Sequence, residues 1–168
     1  LPVNVKSFQK KDLAELKPKA VILSGGNDLP IIINNKANTI REKNDNFLFK
    51  YAQSKRIPIL AVCHGFHFVA KKLGAKIIKI KGHVKKNHKI KLDNFIKKKI
   101  ITLRVNSYHN YGIYDLPKKF SFISKCSDGT IEFAEIRKKK ILCLMFHPER
   151  KNLSQYKINQ IVFKHLKI

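Results

Sequence analysis

The sequence IPILAVCHG at residues 57–65 is the strongest indication of the fold class of this chain. Pro58 is followed by an uninterrupted apolar run, which is typical of a strand buried on both faces of a parallel sheet. The run ends at Cys63, and residues 64–73 then place apolar side chains at helical spacing before Gly74, which predicts a helix with a glycine C-cap. A buried strand that turns directly into a helix, with a cysteine at the turn and small neighbours, is the cysteine form of a nucleophile elbow.

A cysteine in this position can be a nucleophile or a buried structural residue. The N-terminus of the following helix favours the thiolate, which is the reactive form, and its backbone N–H groups can stabilise an oxyanion. Free cysteines in strands are nevertheless commonly inert core residues. The elbow by itself leaves both interpretations of Cys63 open.

Strands and helices alternate on both sides of the elbow. Residues 19–24 predict a buried strand and 39–55 a helix, while 131–136 and 140–146 predict strands and 154–165 a closing helix. Further short strands, separated by lysine-containing turns, are predicted at 76–80, 88–92, 100–105 and 120–124. This order predicts an α/β fold with a doubly wound, mostly parallel sheet and an antiparallel excursion.

A second group with catalytic potential follows the last predicted strand. His147, Pro148 and Glu149 come directly after residues 140–146, and parallel sheets bind ligands at the C-terminal edge of their strands. A thiolate nucleophile needs a base, and the base needs an orienting group. A His-Pro-Glu sequence alone is commonly an ordinary loop, but with the elbow it predicts a triad with Cys63.

Together these motifs resemble the class I glutamine amidotransferases, and within them the γ-glutamyl hydrolase branch that includes the γ-glutamyl-γ-aminobutyrate hydrolases. The resemblance covers roughly residues 19–150, and three further motifs agree with it in order: SGGND at 24–28, REKND at 41–45 and VNSYH at 105–109. It implies a flavodoxin-like fold and cysteine-dependent hydrolysis of a γ-glutamyl amide through a glutamyl thioester, with release of glutamate and without a cofactor.

The resemblance also implies roles for individual residues. Cys63 is expected to attack the γ-carbonyl, His147 to act as the base and Glu149 to hold its tautomer. The backbone N–H groups of Gly26 and His64 are expected to form the oxyanion hole. The expected substrate-binding residues are Gly25, His67, Ser107, Tyr108 and His109.

Several positions depart from the usual pattern of the family. Ala61 replaces a frequent Gly, and His64 and His67 replace a frequent Arg and Gln, so we expect recognition of the glutamyl group to differ. Met145 and the run SYHNYGI at 107–113 are closer to the γ-glutamyl-CDP-amidate hydrolases of surface-polysaccharide modification. A nucleotide-linked amidate is therefore one candidate substrate, beside a small amine conjugate.

Composition limits the partners and the location that we expect. With 168 residues, 43% hydrophobic and 28% charged, the chain predicts one globular domain over residues 1–168. Its first residue is Leu1 rather than Met, so we expect an N-terminal segment to be missing. No apolar run approaches the ~20 residues of a membrane span. The three cysteines do not form a disulfide framework, which favours a reducing compartment, the cytoplasm.

The formal net charge of +25 does not by itself indicate a nucleic-acid partner. Lysines are spread along the whole chain, and Arg, the residue that usually contacts phosphates and bases, is scarce. We interpret the charge mainly as a solvated surface that would also favour an acidic small substrate.

Alternatives to a free-standing hydrolase stay open. One is a glutaminase subunit that delivers ammonia to a separate synthetase partner. Another is an inactive or basic binding protein on the same fold. A metal site is not predicted, because neither His64 with His67 nor His83 with His88 has the spacing of a standard zinc set.

Overall fold

The computed structural model of the chain describes residues 10–26, 36–94 and 99–167. The α-helices are Lys10–Leu16 (α1), Lys36–Lys55 (α2), His64–Lys72 (α3) and Gln155–Leu166 (α4). The strands are Val21–Leu23 (β1), Ile59–Val62 (β2), Ile78–Lys79 (β3), Val84–Asn94 (β4), Lys99–Tyr108 (β5), Tyr111–Gly112 (β6), Phe122–Lys125 (β7), Ile131–Ile136 (β8) and Ile141–Leu144 (β9). A short 3-10 helix, Arg137–Lys139, joins β8 to β9.

The central sheet of the described chain has five strands in the order β1-β2-β9-β8-β7. β1, β2 and β9 run parallel, with Leu23 opposite Ala61 and Val62 opposite Leu144. β8 is antiparallel to both β9 and β7. The prediction of an α/β fold with a doubly wound, mostly parallel sheet is confirmed.

Core packs on both faces of this sheet, which explains the continuous apolar sequence of β2. Ile59 and Ala61 face one cluster with side chains of α2 and α3, such as Phe49 and Phe66. Leu60 and Val62 face a second cluster with side chains of α4 and of the long strands β4 and β5. Successive side chains of a strand point to opposite faces, so all four residues of β2 are buried.

The predicted antiparallel excursion is present, with longer strands than the sequence indicated. β4 and β5 form a two-stranded ladder whose register runs from Val84 opposite Tyr108 to Asn94 opposite Lys99. β3 pairs with β6 in a second small ladder. Lysines on the exposed side of β4 interrupt its apolar pattern, and for this reason the sequence predicted only its central part.

Some elements were not predicted, and some predicted positions lie outside the described residues. α1, β6 and the 3-10 helix, which are all short, were not predicted from the sequence. Asn27 and Asp28 of the SGGND motif lie outside the described residues, as does Leu1. None of the helices in the described ranges is long and apolar enough to cross a membrane.

Candidate active site

Cys63 lies at the junction of β2 and α3 in a strained backbone conformation. Its φ is 47° and its ψ is −98°, a region that non-glycine residues rarely occupy and that costs roughly 1–3 kcal/mol. The Cys63 backbone N–H donates to the carbonyl of Leu144 over 2.7 Å, which fixes the turn to β9. The residue is 6% exposed. The sharp strand-to-helix turn that the sequence predicts is therefore present.

Gly65 allows α3 to lie close against β1. A Cβ atom at this position would overlap the carbonyl oxygen of Leu23 and come within 2.8 Å of its Cβ. The small residue two positions after Cys63 is thus required by backbone packing. Because Gly65 allows this close packing, the N-terminus of α3 lies at the C-terminal edge of β1 and β2.

His147 and Glu149 form a hydrogen-bonded pair directly after β9. The distance from His147 Nδ1 to Glu149 Oε1 is 2.6 Å, and the carboxylate can only accept, so Nδ1–H donates. In the neutral imidazole this leaves Nε2 as the proton acceptor. Burial is the largest single effect and would raise the pKa of Glu149, but the hydrogen bond with His147, a backbone hydrogen bond and the charges of His147 and Arg150 together lower that pKa.

The cysteine and the histidine come from neighbouring parallel strands. Val62 is opposite Leu144 in the ladder, so Cys63 follows one strand and His147 the next at the same edge of the sheet. This is the edge at which open α/β sheets bind their ligands. The sequence predicted that both residues follow strands, and the structure shows that these strands, β2 and β9, are neighbours in the sheet.

Two asparagines that the sequence analysis did not select hold the backbone of His147. Asn106 Oδ1 accepts from the His147 N–H over 2.9 Å, and Asn106 Nδ2 donates to the His147 carbonyl over 2.8 Å. Asn152 Nδ2 donates to the same carbonyl over 3.0 Å. The VNSYH motif could have indicated Asn106 from the sequence. Only Ser107, Tyr108 and His109 of that motif were given expected roles.

Tyr108 and Arg150 pack beside the candidate base. The Tyr108 ring meets the His147 ring edge to face, with 6.1 Å between centroids. The guanidinium of Arg150 lies 4.5 Å from the centroid of the Tyr108 ring, a cation–π distance. Of the predicted substrate-binding residues on this segment, Tyr108 is the one whose ring contacts the predicted base, His147.

The loop after β1 packs on the His147 ring. A Cβ at Gly25 would lie 2.6 Å from His147 Cε1, so any other residue at this position would collide with the imidazole ring. Gly26 follows in the same loop, where a Cβ would be 3.1 Å from Arg41 Nη1. The two glycines predicted for substrate binding and for the oxyanion hole are therefore adjacent to His147, the predicted base, and to Arg41.

A charged network from α2 joins this loop to the start of α3. Arg41 Nη2 donates to the carbonyl of Ser24 over 2.6 Å, and Arg41 Nε donates to Asp45 over 3.0 Å. Asp45 Oδ2 in turn lies 3.2 Å from His64 Nε2, and both side chains are almost fully buried. The REKND motif thus links the segments of Gly26 and His64, whose N–H groups are the predicted oxyanion hole.

The remaining predicted substrate-binding side chains are buried. His67 Nε2 donates to the Tyr111 carbonyl over 3.2 Å, and burial, with the nearby His109, lowers the pKa of His67 to about 3, so it is neutral. Ser107 Oγ donates to the carbonyl of His83 over 2.6 Å and is fully buried. Their contact with substrate remains a prediction.

Comparison with known proteins decides the family. Residues 1–164 match the sequence profile of the family described as Glutamine amidotransferase class-I. The chain belongs to this family. The resemblance that we drew from the motifs is therefore confirmed.

Individual relatives show the same likeness. The chain is 31% identical to a γ-glutamyl-CDP-amidate hydrolase of Campylobacter jejuni, over 80% of the chain and 64% of the relative. It is 33% identical to a glutamine-hydrolysing GMP synthase of Petrotoga mobilis, over 78% of the chain and 24% of the relative. The chain thus spans less than two thirds of either curated relative.

Solved structures share the fold. A protein of Thermoplasma acidophilum assigned to GMP synthase superposes with a TM-score of 0.70 at 21% identity, covering 93% of this chain and 77% of the other. A glutamine amidotransferase of Thermotoga maritima gives a TM-score of 0.65 at 20% identity, with 94% and 65% of the two chains covered. At these identities the likeness supports the fold alone.

Proposed function

We propose that the chain is a cysteine-dependent hydrolase that releases glutamate from a γ-glutamyl amide. The observation that carries this proposal is the strained turn at Cys63 beside the His147–Glu149 pair, on adjacent parallel strands. A strained non-glycine residue is costly, and such conformations cluster at active sites. The likeness to the Campylobacter jejuni hydrolase supports the same reaction class.

The chemistry divides into two half-reactions. His147 Nε2 takes the thiol proton, and Cys63 Sγ attacks the γ-carbonyl carbon to give a tetrahedral intermediate. The N–H groups of Gly26 and His64 stabilise its oxyanion. Collapse breaks the C–N bond, and His147 donates the proton to the leaving amine, which leaves a glutamyl thioester.

Water then completes the reaction. His147 takes a proton from the water molecule that attacks the thioester carbonyl. Collapse of the second intermediate breaks the C–S bond and releases glutamate, and His147 returns the proton to Cys63 Sγ to restore the thiol. Glu149 accepts the Nδ1–H bond throughout and stabilises the imidazolium formed in each half-reaction. The cationic surface, with a formal net charge of +25, favours an anionic substrate such as a nucleotide-linked amidate.

A glutaminase subunit is the second candidate function. The likeness to a glutamine-hydrolysing GMP synthase favours it, because that relative is a synthetase in which the matched part is 24% of the length. In this case the amide would be glutamine, and the ammonia would pass to a synthetase partner. Such a protein would show weak activity alone and strong activation by the partner.

One assay distinguishes these candidates. Glutamate release is measured from glutamine and from a panel of γ-glutamyl amides that includes a nucleotide amidate, with wild type, Cys63→Ala and the control Cys143→Ala, which removes a fully buried thiol. We expect turnover of a conjugate but not of glutamine, lost in Cys63→Ala and retained in Cys143→Ala. Turnover of glutamine alone would favour the glutaminase, and no turnover of any compound would exclude a free-standing hydrolase.

A further inference from the structure

A second cluster of ionisable side chains lies outside the catalytic pair. His83 precedes β4, His109 follows β5, and Glu132 is in β8 of the central sheet. All three are buried, with 2%, 4% and 0% exposure respectively. The cluster therefore joins the antiparallel excursion to the central sheet in a site closed to bulk water.

The outer nitrogen of each histidine is held by an acceptor. His83 Nε2 lies 2.7 Å from Asp128 Oδ2, and His109 Nδ1 lies 2.8 Å from the Tyr111 carbonyl oxygen. Carboxylate and carbonyl oxygens only accept, so both outer nitrogens carry the proton. In the neutral rings, His83 Nδ1 and His109 Nε2 are then lone-pair acceptors.

These two inner nitrogens face the carboxylate of Glu132. Each lies 3.4 Å from Glu132 Oε1. Within the described part of the chain, neither nitrogen and neither oxygen of Glu132 makes a hydrogen bond. Buried polar atoms without hydrogen bonds are costly, and acceptors that face one another require a proton or a metal ion between them.

The geometry fits a tetrahedral metal ion. Bonds of about 2.0 Å from zinc to nitrogen and oxygen place tetrahedral ligands about 3.3 Å apart, which matches both histidine–glutamate contacts. One ligand atom from each of the three residues lies within 4.8 Å of the others. Metal-bound histidines usually donate their other N–H to a carboxylate or a backbone carbonyl, which is the arrangement of His83 and His109 here.

We propose that His83, His109 and Glu132 form a structural site for a divalent transition-metal ion such as Zn²⁺. Two imidazoles and one carboxylate are ordinary zinc ligands, and a bound water molecule would complete the four-coordinate site. The ion would neutralise Glu132 and fasten the β4–β5 ladder to β8. The three ligands come from separate segments, so their sequence spacing gave no zinc signature.

Metal binding to the purified chain tests this proposal directly. The chain carrying Cys63→Ala, which removes the catalytic thiol as a competing ligand, is freed of metal with a chelator and titrated with Zn²⁺ and with Co²⁺. We expect one Zn²⁺ per chain and a visible Co²⁺ absorption spectrum of a low-coordinate site. Failure to bind one equivalent of Zn²⁺ would overturn the proposal.

Variants then locate the ion. Glu132→Gln keeps the side-chain shape and should weaken Zn²⁺ binding by at least about 100-fold. Asp128→Asn changes the carboxylate that holds His83 Nε2 and that also accepts from Cys126 and Thr130, and it should cost roughly 10- to 100-fold. His165→Gln is the control, because that histidine contacts the carbonyl of Ile59, away from the cluster. Because Asp128 is partly exposed, Asp128→Asn remains informative if Glu132→Gln does not fold.

Two results would contradict the site. One is the wrong pattern among the variants: a Zn²⁺ affinity that is unchanged in Asp128→Asn, or Zn²⁺ binding that is lost in His165→Gln. The other is nitrogen NMR of the metal-treated chain that shows both ring nitrogens of His83 and of His109 protonated, because imidazolium ions would then neutralise Glu132. Inner nitrogens without a proton, with shifts that change on Zn²⁺ addition, would support coordination.

Discussion

The hydrogen bond between His147 and Glu149 is the residue-scale feature on which the proposed chemistry depends. It selects the tautomer whose Nε2 accepts a proton, and it stabilises the charge that the ring gains. Glu149 is 58% exposed at its side chain, so water competes for the carboxylate. The pair is therefore expected to matter more for turnover than for stability.

Replacement of the carboxylate tests this expectation. Glu149→Gln keeps the size of the side chain but removes the negative charge, so the imidazolium is less stabilised, and we expect kcat to fall about 100-fold or more. Steady-state kinetics on the preferred conjugate measure this. Glu135→Gln, which removes a carboxylate paired with Arg137, is the control and should leave kcat unchanged. Equal kcat for Glu149→Gln and wild type would contradict the triad.

The lowered pKa of Glu149 also predicts a pH dependence of stability. Burial opposes ionisation, but the His147 hydrogen bond, a backbone hydrogen bond and the charges of His147 and Arg150 together lower the pKa below that of the unfolded chain, which is about 4.3. The stabilisation is then present above the unfolded pKa and is lost as the pH falls through the folded one. We expect the difference in unfolding free energy between wild type and Glu149→Gln to shrink below about pH 4. A difference in urea unfolding that grows on acidification would oppose this assignment.

The three cysteines are expected to differ in reactivity. Burial raises the pKa of the Cys143 thiol, and Cys143 is fully enclosed. Burial and the hydrogen bond to the Asp128 carboxylate raise the pKa of Cys126 to about 11. Iodoacetamide near neutral pH should therefore modify Cys63 first, as peptide mass spectrometry would show. Faster labelling of Cys126 or Cys143 would argue against an activated Cys63.

At the scale of elements, β5 holds the backbone of His147, the proposed base, from outside the central sheet. Asn106 near its end bonds both backbone groups of His147, and the two residues are 41 positions apart. The strand is itself paired with β4 along its whole length. The antiparallel excursion thus contributes to the active site through the backbone of His147.

Truncation of the Asn106 side chain should show whether Asn106 affects turnover as well as stability. Asn106→Ala leaves the buried N–H of His147 without its acceptor, which costs about 1–3 kcal/mol of stability, and we expect kcat to fall more than KM changes. Denaturant unfolding and steady-state kinetics measure the two effects. Asn87→Ala, at the exposed position opposite Asn106 in β4, is the control. A loss of stability with unchanged kcat would show that Asn106 is structural only.

At the scale of the whole molecule, the net charge of +25 is the dominant property. A cationic protein attracts anionic ligands over a distance that salt shortens. The charge therefore favours a nucleotide-linked conjugate over a neutral amide. We expect the charge to raise the rate at which substrate binds and to leave the bond-breaking step unchanged.

Ionic strength should reveal this preference. Between about 0.02 and 0.5 M salt, we expect kcat/KM for a nucleotide amidate to fall about tenfold, because electrostatic attraction is screened. The same change should leave kcat/KM for an uncharged γ-glutamyl amide nearly constant, which makes that substrate the control. Equal salt dependence for both would show that the surface charge does not act on the substrate.

Hydrophobic patterns and turn residues were enough to predict the elements whose signals are local. The continuous apolar run of β2, the helix after Cys63 and the strand Ile131–Ile136 were predicted at or near their observed bounds. Hydrophobic periodicity is a property of neighbouring residues, so it needs no knowledge of the partner strand. The His-Pro-Glu sequence after a strand likewise marked the position of His147 without showing what lies beside it.

Which of these elements contact one another became known only from the folded arrangement of the chain. The order β1-β2-β9 brings Cys63 and His147 to neighbouring strand ends, and the excursion brings Asn106 to the backbone of His147. The cluster of His83, His109 and Glu132 likewise exists only once β5 and β8 are packed. Such contacts join residues tens of positions apart, and their specificity comes from strand order and from hydrogen bonds across the fold, which no local pattern encodes.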